Sequence, residues 1–291
     1  MKLDTIFMRF PGGLPKAVTL SYDDGVEEDI RLIEIMQKYG VKGTFNINSG
    51  LEIEEGYEFP PEKKHGKRMT AARTVEVYSQ DGIEVALHAL THQRLEIMPA
   101  AQATYQVLKD REILEAQFGR IVRGMAYPYG TFTDETVEIL KNCGVAYCRT
   151  VRSTEKFDIP TDWLRLDPTC HHVNPKLPEL TKKFVEKKFS DGTKHYLIEK
   201  SQLFYLWGHA YEFARDNNWE VIENFCKAVS GKEDIWHATN MEIYEYVQNF
   251  NRLIFSLDQR IVQNPTAQTL WFQMSKQLYA VKPGETLTIG E

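Results

Sequence analysis

The sequence predicts an α/β fold built from repeated strand–helix units. Two observations carry this prediction: apolar segments rich in strand formers alternate with amphipathic helical segments, and no Gly-x-Gly-x-x-Gly motif follows the first strand to favour a dinucleotide-binding fold. Repeated strand–helix pairs give parallel strands joined by right-handed crossovers. About seven or eight such units would close a β/α barrel. A doubly wound open sheet is the competing architecture.

The first unit has the clearest pattern. An apolar run over 17–22 reads as a strand and ends at the Asp-Asp-Gly of 23–25. A helix is predicted next, because acids fill its first turn, where the helix dipole favours them, and apolar residues recur at helical spacing. Gly40 ends this helix, and 44–47 is predicted to be the second strand.

The same alternation continues to about residue 250. The further predicted strands are 83–87, 124–126, 145–148, 203–207 and 235–236. The further predicted helices are 99–118, 133–142, 217–229 and one that opens with the capping box Thr239-x-x-Glu242. Residues 51–70 are charged, contain proline and lack periodicity, so they are predicted to form a long loop.

The pattern changes after Phe255. Short antiparallel strands are predicted at 259–262, 269–274 and 286–289, with a turn at Pro283-Gly284. We therefore divide the chain into a barrel over 1–255 and a short β-rich extension over 256–291, which packs on the barrel.

Composition and charge narrow the classes of function. A net charge of −6 indicates no nucleic-acid-binding surface, and no apolar stretch approaches a membrane span. The N-terminal segment lacks the apolar run of a signal peptide, and the four cysteines show no CxxC spacing. A cytoplasmic protein with reduced thiols is therefore expected.

Three polar clusters lie where predicted strands end, which is the catalytic face of a β/α barrel. Asp23 and Asp24 follow the first strand, although a turn that caps a helix explains them without chemistry. His88 and His92 are four residues apart, a spacing that can hold zinc but also arises by chance. His209 ends another strand, where a lone histidine is often structural. Together the clusters suffice for metal-assisted hydrolysis.

These clusters resemble the motifs of the polysaccharide deacetylase family, also called the NodB-homology or carbohydrate esterase 4 domain. The family's TFDDG-like motif corresponds to Leu-Ser-Tyr-Asp-Asp-Gly at 20–25, and its H-S/T-x-x-H motif to 88–92. Its Pro-aromatic-Gly motif corresponds to 123–130, and its apolar strand leading to a histidine to 203–209. The resemblance covers residue 17 to about residue 250. It implies a distorted (β/α)7 TIM-like barrel of the NodB type.

The resemblance also implies a role for each matched residue. Asp24, His88 and His92 would bind a divalent metal, with zinc as the default and cobalt, nickel or iron as alternatives. Asp23 would be the general base that takes a proton from the attacking water. His209 would be the general acid that protonates the leaving amine.

The third motif would line the site and also departs from the family. Tyr129 stands where the family places a backbone N–H facing the oxyanion, beside Tyr127 and Pro128. Ala126 replaces the arginine that pairs with the catalytic aspartate in the family. Candidates to take over that pairing are Arg123, Arg149 and Arg152.

Other positions leave alternatives open. Ala89 replaces the Ser or Thr of the second motif, and Thr91 is a possible substitute. Asp162 resembles the family's aspartate that tunes the catalytic histidine. His171 and His172 read as a structural pair, and Glu212 either orients His209, binds substrate or is a surface acid.

The predicted function is hydrolytic removal of N-acetyl groups from an amino-sugar-containing oligo- or polysaccharide. One alternative is hydrolysis of a small cyclic or linear amide, as in allantoinase-like relatives of the fold. Another is a sugar-binding protein without catalysis. The sequence leaves open the natural substrate and its length, the native metal, the oligomeric state and any contact between the C-terminal extension and substrate.

Overall fold

The computed structural model describes residues 4–189, 199–275 and 277–290. Its strands, in chain order, are β1 (Phe7–Arg9), β2 (Lys16–Asp23), β3 (Gly43–Ile47), β4 (Ile83–Leu87), β5 (Gly124–Ala126), β6 (Tyr147–Arg149), β7 (Cys170–His171), β8 (Gln202–Gly208), β9 (Ile235–His237), β10 (Ile254–Phe255), β11 (Ile261–Gln263), β12 (Leu270–Met274), β13 (Gln277–Val281) and β14 (Thr286–Thr288). Its α-helices are α1 (Asp29–Lys38), α2 (Ala71–Tyr78), α3 (Ala100–Phe118), α4 (Asp134–Asn142), α5 (Leu177–Glu186), α6 (Ala210–Arg215), α7 (Glu220–Val229) and α8 (Asn240–Phe250). None of these helices is long and apolar enough to cross a membrane.

A parallel sheet forms the centre of the molecule. Its strand order is β6-β5-β4-β3-β2-β8-β7, and β9 pairs with β2 as an additional neighbour. Among the described residues, β6 and β7 do not pair with each other, so the barrel is open between them. The predicted α/β fold and its distorted seven-stranded barrel are thereby confirmed.

The core lies between this sheet and its helices. Every residue of β2 is buried, as expected for a parallel strand that is covered on both faces. The inner face of α1 buries Leu32, Ile33 and Met36 against the same cluster of apolar side chains. Because parallel strands end at one edge of the sheet, the polar residues that follow β2, β4 and β8 meet there.

The structure adds short elements that the sequence pattern did not predict. These elements are α2, α6, β1, β7, β10 and β13. The capping box at Thr239 and Glu242 is confirmed, and the predicted loop over 51–70 has no regular helix or strand apart from one short 3-10 turn and isolated bridges. The helix predicted at 217–229 begins three residues later, at Glu220.

The C-terminal segment forms antiparallel strands, as predicted, in two small sheets. The orders are β1-β12-β13 and β10-β11-β14. The first sheet joins the C-terminal segment to β1, since Met8 pairs with Phe272. The division of the chain into domains at residue 255 stays a prediction.

Candidate active site

Two adjacent carboxylates leave the end of β2 in different directions. Asp23 is the last residue of the strand and is only 3% exposed. Asp24 has a positive φ of 87°, and its N–H donates to the carbonyl of Asn46 on β3 at 2.9 Å. This sharp backbone turn separates the two side chains, so they can serve different purposes.

Asp24 meets the two histidines that follow β4. The candidate ligand atoms of Asp24, His88 and His92 all lie within 4.8 Å of one another. His92 Nε2 is 3.7 Å from Asp24 Oδ1. Two residues of this loop, Ala89 and His92, have left-handed backbones with φ of 59° and 53°, and this tight turn brings the imidazoles together.

The donor set fits a divalent metal. His88 Nδ1 lies 2.8 Å from the carbonyl oxygen of Ala126, so Nδ1 carries the proton and the Nε2 lone pair is free for a ligand. Burial, partly offset by the nearby charges of Asp23 and Asp24, lowers the pKa of His88 to about 4, and a neutral imidazole is the metal-binding form. Two imidazoles and one carboxylate leave coordination positions open for water and substrate.

Side chains from α3 hold the histidine loop. Asp110 is buried and accepts hydrogen bonds from Ser49 N–H at 2.9 Å and from His88 N–H at 3.1 Å. Thr91 donates from its N–H and its hydroxyl to Gln106 Oε1, at 2.9 and 3.1 Å. The hydroxyl of Thr91 therefore anchors the loop that lacks a Ser or Thr at position 89.

Asp23 is paired with an arginine from another strand. Arg149 ends β6, is 1% exposed and donates a hydrogen bond from Nη2 to Asp23 Oδ2. Asn46 Nδ2 donates to the other carboxylate oxygen at 2.9 Å. Burial alone would raise the pKa of Asp23, but the charge of Arg149, with His88 and His209, lowers it to about 2. Asp23 is therefore a buried, ionised carboxylate at neutral pH.

Of the three candidate arginines, the structure brings only Arg149 to Asp23. Arg123 Nε donates instead to the carbonyl of Gly144 at 3.0 Å. Arg152 is exposed and pairs with Asp167. The Arg149 guanidinium also lies 4.2 Å from the centre of the Trp207 ring, which fixes its position from the opposite side.

His209 follows β8 and faces the same carboxylate. Its Nε2 is 3.9 Å from Asp23 Oδ2, and its Nδ1 is 3.4 Å from Glu212 Oε2. Burial lowers the pKa of His209, but Glu212 and Asp23 raise it more, and the net effect is upward. The structure places Asp162 elsewhere: it caps a 3-10 turn and pairs with Arg165 at 2.9 Å.

The third motif forms one wall of the site. Tyr129 has a positive φ of 59°, is 56% exposed, and its ring centre is 4.6 Å from that of His92. Tyr127 is buried and donates from its hydroxyl to the carbonyl of Leu164 at 2.8 Å. Pro128 is also buried, so Tyr129 alone of the three presents its side chain at the mouth of the site.

Sequence reasoning missed one cation next to the predicted metal ligands. Arg68 Nη2 donates to Asp24 Oδ1 at 3.0 Å, from within the segment predicted as a loop. A cavity of about 270 Å³ adjoins this pair, and Lys63, His65 and Tyr211 also line it. A larger cavity of about 810 Å³ lies between α5 and α7, and its lining includes His172 but none of the carboxylates and histidines described above.

Comparisons with known proteins agree with the motifs. Residues 12–148 match the polysaccharide deacetylase family. The poly-β-1,6-N-acetyl-D-glucosamine N-deacetylase of Staphylococcus aureus is 28% identical over 152 residues, which cover 49% of this chain and 50% of that protein. The chain thus spans about half the length of the curated relatives it matches.

A solved structure of a candidate polysaccharide deacetylase from Mycobacterium smegmatis shows the same fold. It has a TM-score of 0.54 and 17% identity, and the match covers 82% of this chain and 92% of that one.

Proposed function

We propose that this chain, whose predicted resemblance to the polysaccharide deacetylase family is confirmed over residues 12–148, is a metal-dependent hydrolase. It removes N-acetyl groups from an amino-sugar-containing oligo- or polysaccharide. The observation that supports this most strongly is that a His₂Asp ligand set lies beside a second carboxylate, Asp23, and that a third imidazole, His209, is within 4 Å of that carboxylate.

The residues divide into binding and proton-transfer groups. Asp24, His88 and His92 hold the metal, which when bound supplies Lewis acidity toward an amide carbonyl and a water molecule. Asp23 accepts the proton of the attacking water, since Arg149 keeps its carboxylate ionised and oriented. His209 donates a proton from Nε2 to the departing amine nitrogen, a step that an amide requires because an amine anion leaves poorly. The backbone N–H of Tyr129 faces the developing oxyanion.

Two observations bear on the substrate. The curated relative is a deacetylase of a β-1,6-linked N-acetylglucosamine polymer, which favours an N-acetylated amino sugar here. The cavity beside Asp24 leaves room for part of a sugar next to the reacting acetamide. The absence of the third-motif arginine makes the small-amide alternative less remote, but Arg149 pairs with Asp23 in its place, so that absence no longer favours the alternative.

The test is acetate release from a panel of N-acetylated oligosaccharides, including β-1,6-linked N-acetylglucosamine. Metal-stripped protein is assayed with and without added zinc, and the Asp23→Asn variant serves as the control that binds metal without turning over. The proposal is supported if the wild type releases acetate in a zinc-dependent reaction and Asp23→Asn does not. Tightly bound metal with no acetate from any substrate would contradict it and direct the search to small cyclic amides.

A further inference from the structure

A second cluster of titratable side chains lies behind His209. Glu212 Oε2 is 3.3 Å from His171 Nε2, 3.2 Å from His172 Nε2 and 3.4 Å from His209 Nδ1. The two neighbouring histidines come from the end of β7, and Glu212 is in the first turn of α6. Three imidazoles around one carboxylate oxygen can be either a cation site or a hydrogen-bonded unit.

The tautomer of His171 distinguishes these two arrangements. The backbone N–H of Val173 donates to His171 Nδ1 at 3.1 Å, so Nδ1 is unprotonated. The ring proton is therefore on Nε2, the atom that faces Glu212. A protonated nitrogen donates a hydrogen bond and cannot ligate a metal. The geometry thus favours a carboxylate that receives N–H groups.

Burial leads to the same conclusion. His172 Nε2, His209 Nδ1 and Glu212 Oε2 are buried, and within the described part of the chain none of them makes a well-aligned hydrogen bond to any group. Buried polar atoms in folded proteins are nearly always paired, and both imidazole nitrogens lie within 3.4 Å of the Glu212 oxygen, so a small reorientation of these side chains would pair them. Burial alone would raise the pKa of Glu212, but hydrogen bonds from the three imidazoles bring it well below its usual range. Glu212 is therefore an ionised carboxylate that accepts hydrogen bonds.

His172 cannot move away from this carboxylate. It is 2% exposed, and its ring stacks on Tyr22 and on Phe213, with ring centres 5.8 and 4.1 Å apart. The backbone of Gly208 lies so close that a Cβ added there would be 1.9 Å from His172 Nδ1. The packing therefore fixes the ring at a position 3.2 Å from Glu212 Oε2.

We propose that His171 and His172 hold Glu212 as the positioning carboxylate of His209. Glu212 accepts the Nδ1–H of His209 and directs its Nε2 toward Asp23 and the reacting bond. This inference rests on the proposed function, because it assigns the orientation of His209 during proton donation. The Nε2 proton goes to the amine nitrogen as the C–N bond breaks, while the other proton stays on Nδ1 and is donated in a hydrogen bond to Glu212.

The first test is kinetic and uses two variants with a matched control. Glu212→Gln replaces an acceptor by a group that also donates, and we expect kcat to fall about 10- to 100-fold with KM almost unchanged. His172→Phe keeps the stacked ring and removes both nitrogens, and we expect a smaller fall in kcat alone. Glu220→Gln, on the exposed start of α7, should leave both constants unchanged. An unchanged kcat in folded Glu212→Gln overturns the proposal.

Two further measurements do not depend on turnover. Imidazole nitrogen NMR of the zinc-loaded wild type should show His171 protonated at Nε2. Metal analysis should give the same zinc content in the wild type and in Glu212→Gln. A zinc ion that is lost in Glu212→Gln, or a His171 that lacks the Nε2 proton, would make the cluster a cation site and refute the proposal. If the wild type releases no acetate but both expected results are found, the proposed function fails while the hydrogen-bonded cluster stands.

Discussion

Replacing Arg149 by Met should destabilise the protein strongly, because it leaves the charge of Asp23 buried without its cation. Arg149 and Asp23 are 1% and 3% exposed, so solvent cannot compensate for the lost partner. Removing one member of a buried ion pair typically costs about 3–5 kcal/mol. Asp23 keeps the hydrogen bond from Asn46 Nδ2, so we expect a loss at the lower end, about 3 kcal/mol.

The free energy of unfolding is measured by urea denaturation of metal-free protein, with the dependence on urea concentration compared between variants. Adding Asp23→Asn to Arg149→Met removes the unpaired charge, so the double variant should recover much of the loss. We expect a coupling energy of about 2 kcal/mol. Arg152→Met is the matched control: its pair with Asp167 is on the surface, and its loss should cost about 1 kcal/mol or less. A coupling energy below about 0.5 kcal/mol would refute the reasoning.

Four further predictions concern the site and one buried acid. Asp23→Asn should keep its zinc, measured by metal analysis, but lose at least about 100-fold in turnover. His88→Ala should lose zinc, and unchanged stoichiometry would remove His88 from the ligand set. His209→Gln should slow release of an amine much more than release of an activated phenol ester, because only the amine needs a proton; equal losses would argue against the acid role. Burial raises the pKa of Asp29 to about 8, so between pH 3.8 and 8 the carboxyl ionises in the unfolded chain while it stays protonated in the folded protein, and the stability of the wild type falls as pH rises. Asp29→Asn should therefore gain stability over the wild type across that range, by up to about 1.4 kcal/mol per pH unit in urea titrations.

The strands and the first ligand cluster could be predicted because their signals are local. The apolar run of β2 and the turn after it are contiguous in sequence, and the two histidines of the second motif are four residues apart. The hydrophobic period and the spacing of the histidines can be read directly from such short stretches of sequence. The strand–helix rhythm then places the ends of the strands at one edge.

The rest of the site depends on contacts between distant segments. Arg149 reaches Asp23 from 126 positions away, and Arg68 reaches Asp24 from an irregular loop. Neither arginine stands in a motif that marks its partner. From the sequence, three arginines were candidates to pair with Asp23. Only the three-dimensional position of β6 shows that Arg149 is the one that does so.

Glu212 also shows that nearness in sequence and contact in the structure are different kinds of information. Its position three residues after His209 allowed a contact between the two side chains. The contacts of His171 and His172 with Glu212 depend on the position of β7. This strand has only two residues, which is too few to give a hydrophobic pattern in the sequence. The expected tuning aspartate, Asp162, matched a motif by proximity in sequence but pairs with Arg165 in the structure.

The pairing of β1 with β12 has a practical consequence for protein engineering. The hydroxyl of Tyr246 donates to the carbonyl of Arg9 and accepts from the N–H of Trp271, so it ties both strands to α8. A shortened protein that stops at residue 255 would deprive β1 of its only described strand partner. It would also uncover an unpaired strand edge, which is a template for aggregation. Attempts to produce the barrel alone should therefore keep the C-terminal hairpin attached.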